Sequence, residues 1–213
     1  MSKYDDLKTS KEFLALMKRF YFPSDKIVEE LQVPKMKFLT LEGKGSPESP
    51  GFLKAVQCLY GVAFSIKMGL KFGKIKPPGG YFDYKVPPLE GLWWSAGQFD
   101  MSNKDAWQWR LMIMLPAFVS QPIFNEAIAQ AKAKRPNLPY SKVELEEFEE
   151  GDAVQMTHIG PYAKEGHTID KLVAYAEDHA EKISGRHHEI YISDPRRTKP
   201  EKLKTVLRYP VAK

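Results

Sequence analysis

One order of elements is written twice in this chain, and that repetition constrains the fold more than any single motif does. Residues 36–42 alternate as a strand and lead into a turn rich in Gly and Pro at Gly43, Gly45, Pro47 and Pro50. Residues 52–70 then place Phe52, Val56, Leu59, Tyr60, Ala63, Phe64 and Ile66 at helical spacing, and strands follow at 83–96 and 106–115. Pro87-Pro88 interrupts the first of these strands, as an edge or bulge would. The second half has strands at 142–149 and 152–158, the turn Gly160-Pro161, a helix at 168–183, and strands at 188–193 and 205–209. Set side by side, Thr40 falls against Thr157, Glu90 against Glu189, and Met112–Pro116 against Val206–Pro210. A unit with one helix for three strands leaves sheet edges bare, so two such units are expected to join edge to edge into one larger sheet. Two further helices are predicted outside this pattern, at 5–20, with Ser10 at its start, and at 122–134, with Pro122 in its first turn.

The bulk numbers set limits on what such a duplicated chain does. At 213 residues and 43% hydrophobic content it is long enough and apolar enough to bury a core. Lys and Arg exceed Asp and Glu by five, and the excess is spread along the chain rather than gathered on one element. Nucleic acid is therefore not an expected partner, and Arg186, Arg196, Arg197, Lys199, Lys202 and Lys204 read as a solvated rim. The single cysteine, Cys58, excludes an internal disulfide and fits a reducing compartment. No signal sequence is seen at the start and no run reaches the roughly 20 apolar residues of a membrane helix, so a cytoplasmic chain with no membrane partner is expected.

Chemistry concentrates in two strand-like segments. Leu89-Glu-Gly-Leu-Trp-Trp94 and His188-Glu-Ile-Tyr-Ile192 each set one carboxylate among apolar and aromatic residues, where a charge is costly unless paired or bound to a ligand. Alternation puts Glu90, Leu92 and Trp94 on one face of their strand, and Glu189, Tyr191 and Ser193 on one face of theirs. If the halves are equivalent, Glu90 and Glu189 point into one groove. Trp93, Trp94, Tyr60 and Phe64 either pack the core or wall that groove as a cage for a flat or cationic ligand. No metal site is expected: His187 and His188 point to opposite sides of a strand, and His158 and His167 lack partners at ligand spacing. Gly69–Lys74 is one residue short of a phosphate loop and lacks its Ser/Thr, and no dinucleotide signature appears, so no cofactor is expected.

The segments 33–47 and 52–68, the His158-Ile-Gly-Pro-Tyr162 turn, the Glu189-Ile-Tyr191 strand and Leu207-Arg-Tyr-Pro210 resemble the GyrI-like small-molecule-binding proteins, in particular a stand-alone branch similar to cyclopropanoid cyclopropyl hydrolases. The resemblance covers roughly residues 30–213. It implies an α+β fold, a pseudo-two-fold pair of β-α-β-β units in an antiparallel sheet with two long helices around a central ligand groove, preceded by a helical extension at 1–30. That extension is too short for the DNA-binding domain of drug-sensing relatives. The resemblance also implies hydrolysis of the cyclopropane in yatakemycin-type DNA-alkylating compounds, hence xenobiotic detoxification. Glu189 would be the water-activating base, Glu90 its partner, and Trp94, Tyr191 and Tyr162 part of the aromatic cage. The alternative is a non-catalytic sink for aromatic cations. Gyrase binding is the least expected reading, since no acidic tail or docking segment is present.

Overall fold

The computed structural model describes residues 4–95 and 103–213. In chain order these contain α1 (Ser10–Tyr21), β1 (Glu29–Val33), β2 (Met36–Lys44), α2 (Pro50–Lys71), β3 (Leu89–Trp94), β4 (Gln108–Leu115), α3 (Gln121–Lys134), β5 (Glu144–Phe148), β6 (Gly151–Ile159), α4 (Gly166–Asp178), β7 (Lys182–Ile183), β8 (His187–Tyr191) and β9 (Lys204–Ala212). Helix starts follow local chemistry. Thr9, not Ser10, caps α1, in a reciprocal capping box with Glu12. Ser49 caps α2 through the Phe52 amide, with Pro50 in the first turn where its missing N–H costs nothing. The predicted helix at 168–183 stops at Asp178, because Ala180 takes a left-handed φ of 59° and turns the chain into β7. The predicted strand at 83–96 joins the sheet only from Leu89, after Pro87-Pro88; its far end at Ala96 lies outside the described residues.

All strand pairs are antiparallel, in the order β1-β6-β9-β8-β3-β4-β2-β5, with β7 beside β9. The two units meet edge to edge at β3–β8, as the repeated pattern predicts. They are also interlocked. β1 pairs with β6 of the second unit, and β5 pairs with β2 of the first. Only Pro34 and Lys35 separate β1 from β2, although β1 is the first strand of the order and β2 the next to last. Two linking residues reach no more than about 10 Å, so the sheet curls until its ends meet. The register runs through the junction: Val33 lies opposite Gly151, and Met36 opposite Phe148.

Alternation divides the curled sheet into two faces. Leu39, Leu41, Trp93, Trp109, Leu111 and Ile113 pack against α2 and α3, and Met156 and Leu207 continue that face beneath α4. Phe38, Leu92, Met112, Met114, Ile190 and Val206 form the other face, covered by α1. Gly43 is needed where Trp109 lies across β2: a Cβ there would stand 2.2 Å from the indole ring. The groove that matters lies on the first face, between α2 and α4, above the β3–β8 junction.

Candidate functional site

The floor of the groove is set by the β3–β8 register. Gly91 lies opposite Glu189, Leu89 opposite Tyr191, and Trp93 opposite His187. Directly opposed residues share a face, so Glu189, Tyr191 and Trp93 converge. The Trp93 indole N–H donates to the Tyr191 hydroxyl at 3.0 Å, and that hydroxyl donates to Glu189 Oε2 at 2.6 Å. His187 Nε2 meets Glu189 Oε1 at 2.9 Å, while His187 Nδ1 meets the Tyr209 hydroxyl at 2.6 Å. The Nε2–H donates to the carboxylate, and Nδ1 takes the Tyr209 hydroxyl as its partner. Gly91 makes the closure possible, because a Cβ would come within 3.0 Å of the indole nitrogen and 3.1 Å of the Tyr191 hydroxyl.

A second carboxyl arrives from a different element. After Gly160 (φ 141°) and Pro161, one short turn sets Glu165 at the start of α4. Glu165 is only 5% exposed, contacts Glu189, and leaves its Oε1 without a hydrogen-bond partner. Burial first, and then the charge on Glu189, push the Glu165 carboxyl up to about 9. Burial also opposes the charge on Glu189, but His187, with Tyr191 and Glu165, outweighs it and holds that carboxyl below the usual carboxylate range. At neutral pH the pair therefore holds one proton, on Glu165. Burial and then the Glu189 charge also keep the Tyr191 and Tyr162 hydroxyls protonated, the latter shifted to about 12.

Above this floor opens a cavity of about 1980 Å³, larger than the roughly 300–1,000 Å³ of an ordinary small-molecule site. Tyr60 and Phe64, stacked at 6.2 Å, line its α2 wall, and Phe64 is 49% exposed. Tyr162 stands edge-on to Tyr191 at 6.1 Å. Phe52 stacks on Trp93 at 5.6 Å and fixes the indole from behind. Trp94 borders the mouth, where Arg186 lies 3.6 Å over its ring, but its side chain packs with the α1 face.

Glu90 is not part of this floor, which corrects the expectation that both carboxylates face one groove. Glu90 lies opposite Ile190, one residue from the Gly91–Glu189 pair, and so points to the other face. Residues equivalent under a two-fold through an antiparallel pair share a face, so Glu90 and Glu189 are not equivalent. Glu90 is 1% exposed and accepts from the Tyr21 hydroxyl of α1 at 2.6 Å, with His188 Nε2 at 3.1 Å. His188 Nδ1 in turn meets Glu150 at 2.8 Å. Arg208 binds Glu150, Gln155 and the Phe20 carbonyl. This is an internal scaffold of two carboxyl groups and two cationic side chains.

Sequence reasoning missed Glu165, His187, Tyr209 and Gly91. Glu165 follows the Gly-Pro-Tyr turn by three residues, the one local hint that it returns to the sheet. The other three become visible only through the register. Glu165, His187 and Glu189 bring ligand-type atoms within 4.8 Å of one another. His187 and Tyr191 each meet one oxygen of Glu189, so the expectation that His187 takes no part in a ligand-type cluster is not met.

The model of the GyrI-like small molecule binding domain matches residues 27–212. A solved structure of an uncharacterized conserved protein from Listeria innocua is 44% identical, with a TM-score of 0.88 over 94% of this chain and 98% of that one. A hydrolase from the same organism is 43% identical, with a TM-score of 0.86 and the same coverage. Another Listeria innocua hydrolase is 40% identical, with a TM-score of 0.84 over 97% of this chain and all of that one (100%). The C-terminal domain of EcmrR shares the fold at 13% identity and a TM-score of 0.54, over 88% of this chain and 98% of that one. No curated protein matches the sequence.

Proposed function

The chain belongs to the GyrI-like small-molecule-binding family, and we propose that it is a hydrolase that opens the strained cyclopropane of flat, yatakemycin-type DNA-alkylating compounds. The observation that carries this reading is a buried carboxylate, Glu189, held below the usual carboxylate range on the aromatic floor of a roomy cavity. The two Listeria innocua hydrolases at 43% and 40% identity support the reaction class. In such a substrate the cyclopropane is conjugated to a dienone. Tyr191, Tyr162, Tyr60 and Phe64 provide stacking surface for the flat rings, with Trp93 buried beside Tyr191 as its support. Water attacks the ring methylene, a ring C–C bond breaks, and its electron pair passes into the dienone to give a phenolate. Glu189 takes the proton from water. A tyrosine hydroxyl such as that of Tyr162 stabilises the charge developing on the distant oxygen.

Incubating purified protein with a cyclopropane-bearing compound and separating the products tests this reading. Hydrolysed product should appear faster than in buffer; equal rates would remove it. A second reading has one specific observation in its favour. The cavity is about twice the usual size and walled by permissive aromatic surface, as suits a non-catalytic sink for aromatic ligands. Stoichiometric capture with unchanged ligand would select it.

A further inference from the structure

We propose that the Glu165–Glu189 pair also opens aryl-substituted epoxides to vicinal diols. This rests on the acid–base reading of the pair given above and extends it to a second substrate class. The two carboxyls come from separate elements, the start of α4 and the middle of β8, and bring their oxygens within 4.8 Å of one another. Both border the cavity. That adjacency is more than a cyclopropane–dienone needs, because its attacked carbon and its charge-gathering oxygen lie at opposite ends of a conjugated ring. One contacting pair cannot serve both ends, so Glu165 would have no proton to give there. In an epoxide, the attacked carbon and the departing oxygen are bonded neighbours. An acid and a base in mutual contact match that spacing.

The hydrogen bonding agrees. Both Glu189 oxygens are fixed by donors, whereas the Glu165 carboxyl, 5% exposed in a residue that borders the cavity, has Thr205 and Glu189 beside it and leaves its buried Oε1 without a partner. A buried polar atom without a partner is costly unless a ligand supplies one. An epoxide oxygen would. With the aryl group against Tyr191 and Tyr162, water forms a bond to the benzylic carbon and that carbon's bond to the ring oxygen breaks. The electron pair stays on oxygen, which takes the proton of Glu165, while Glu189 takes one from water. The pair then resets by passing that proton from Glu189 to Glu165 across their contact. No other reactant is required.

The test uses styrene oxide and trans-stilbene oxide with the wild-type chain, Glu165→Gln and Glu189→Gln, each checked for folding by near-UV circular dichroism. Diol is followed by chromatography. Wild type should form diol well above the buffer rate, and in ¹⁸O-water the first turnover should carry the label into the diol. Glu165→Gln should lose about 100-fold or more on the epoxides but less than about 10-fold on a cyclopropane substrate, whereas Glu189→Gln should lose both. No diol above buffer from a wild type that opens cyclopropanes would overturn this proposal alone. Diol formation without cyclopropane opening would uphold it and remove the earlier reading. An undiminished epoxide rate in Glu165→Gln, or unlabelled diol in the first turnover, would also overturn it.

Discussion

Glu165 and Glu189 carry the same side chain and opposite charge states, because their surroundings differ by two donors. Glu189 receives His187 and Tyr191, while Glu165 is buried against a carboxylate. Replacing Glu189 by Gln should therefore cut ring opening by about 100-fold or more while ligand affinity, read from tryptophan quenching, stays within about 2-fold. On epoxides, where Glu165 is the acid, the rate should fall as pH rises through about 9, since that is where its proton is lost. The groups facing it there are Glu189, His187, Tyr162, Tyr191, Tyr209 and Thr205, and the hydroxyls of the tyrosines titrate higher still. Glu165 also affects stability. Its pKa is raised from an ordinary 4.5 to about 9, so the folded state holds a proton that the unfolded state has lost, and stability falls as pH rises across that window. Thermal melts of Glu165→Gln should accordingly lie above wild type at pH 8 and converge toward it near pH 4.5.

Among the elements, α2 and β3 do the positioning, and each has a residue that separates packing from binding. Phe64 is 49% exposed on the cavity wall. Phe64→Ala should cost less than about 1 kcal/mol in folding yet weaken aromatic ligands by about 1 kcal/mol, a difference that denaturation and ligand titration would resolve. Gly91 on β3 admits the Trp93–Tyr191 contact. In Gly91→Ala the indole and phenol must move apart by a few tenths of an ångström, so turnover should fall more than stability does. Gly43→Ala is the opposite case. Its methyl would stand 2.2 Å from the Trp109 ring, a clash much closer than that at Gly91, and urea unfolding should show a loss of about 1–3 kcal/mol or more.

At the scale of the whole molecule, the scaffold on the α1 face ties the two units together. Glu90 comes from β3, His188 from β8, Arg208 from β9, Glu150 from the link between β5 and β6, and Tyr21 from α1. Burial opposes the charge on His188, but Glu150 and Glu90 outweigh it and lift its pKa from 6.5 to about 9. Its contribution is thus complete below about pH 6.5 and is lost as pH rises through about 9. Unfolding free energies measured on Glu165→Gln, where the other slope in this window is removed, should show that decline. Glu150→Ala should cost about 3–5 kcal/mol by leaving His188 and Arg208 without their shared carboxylate. Glu90→Gln should lower the melting temperature and leave turnover unchanged, the reverse of what a catalytic partner would do. No helix among the described residues is long and apolar enough to cross a membrane.

The doubled order of strand, helix, strand and strand was legible in the sequence because periodicity is local: α2, β2, β4 and β6 can be read from spacing alone. Glu189 and Tyr191 stood out as residues of one strand, while the resemblance to the GyrI-like proteins supplied their expected roles and that of Tyr162. What lay beyond the sequence was register. A shift of one residue between β3 and β8 decides that Glu189 meets the cavity while Glu90 meets Tyr21, and that Trp93 rather than Trp94 lies on the floor. Partners brought together from distant elements were equally hidden. Glu165 stands 24 positions before Glu189 in the chain, and only the return of α4 over β8 turns two ordinary glutamates into a pair that shares a proton.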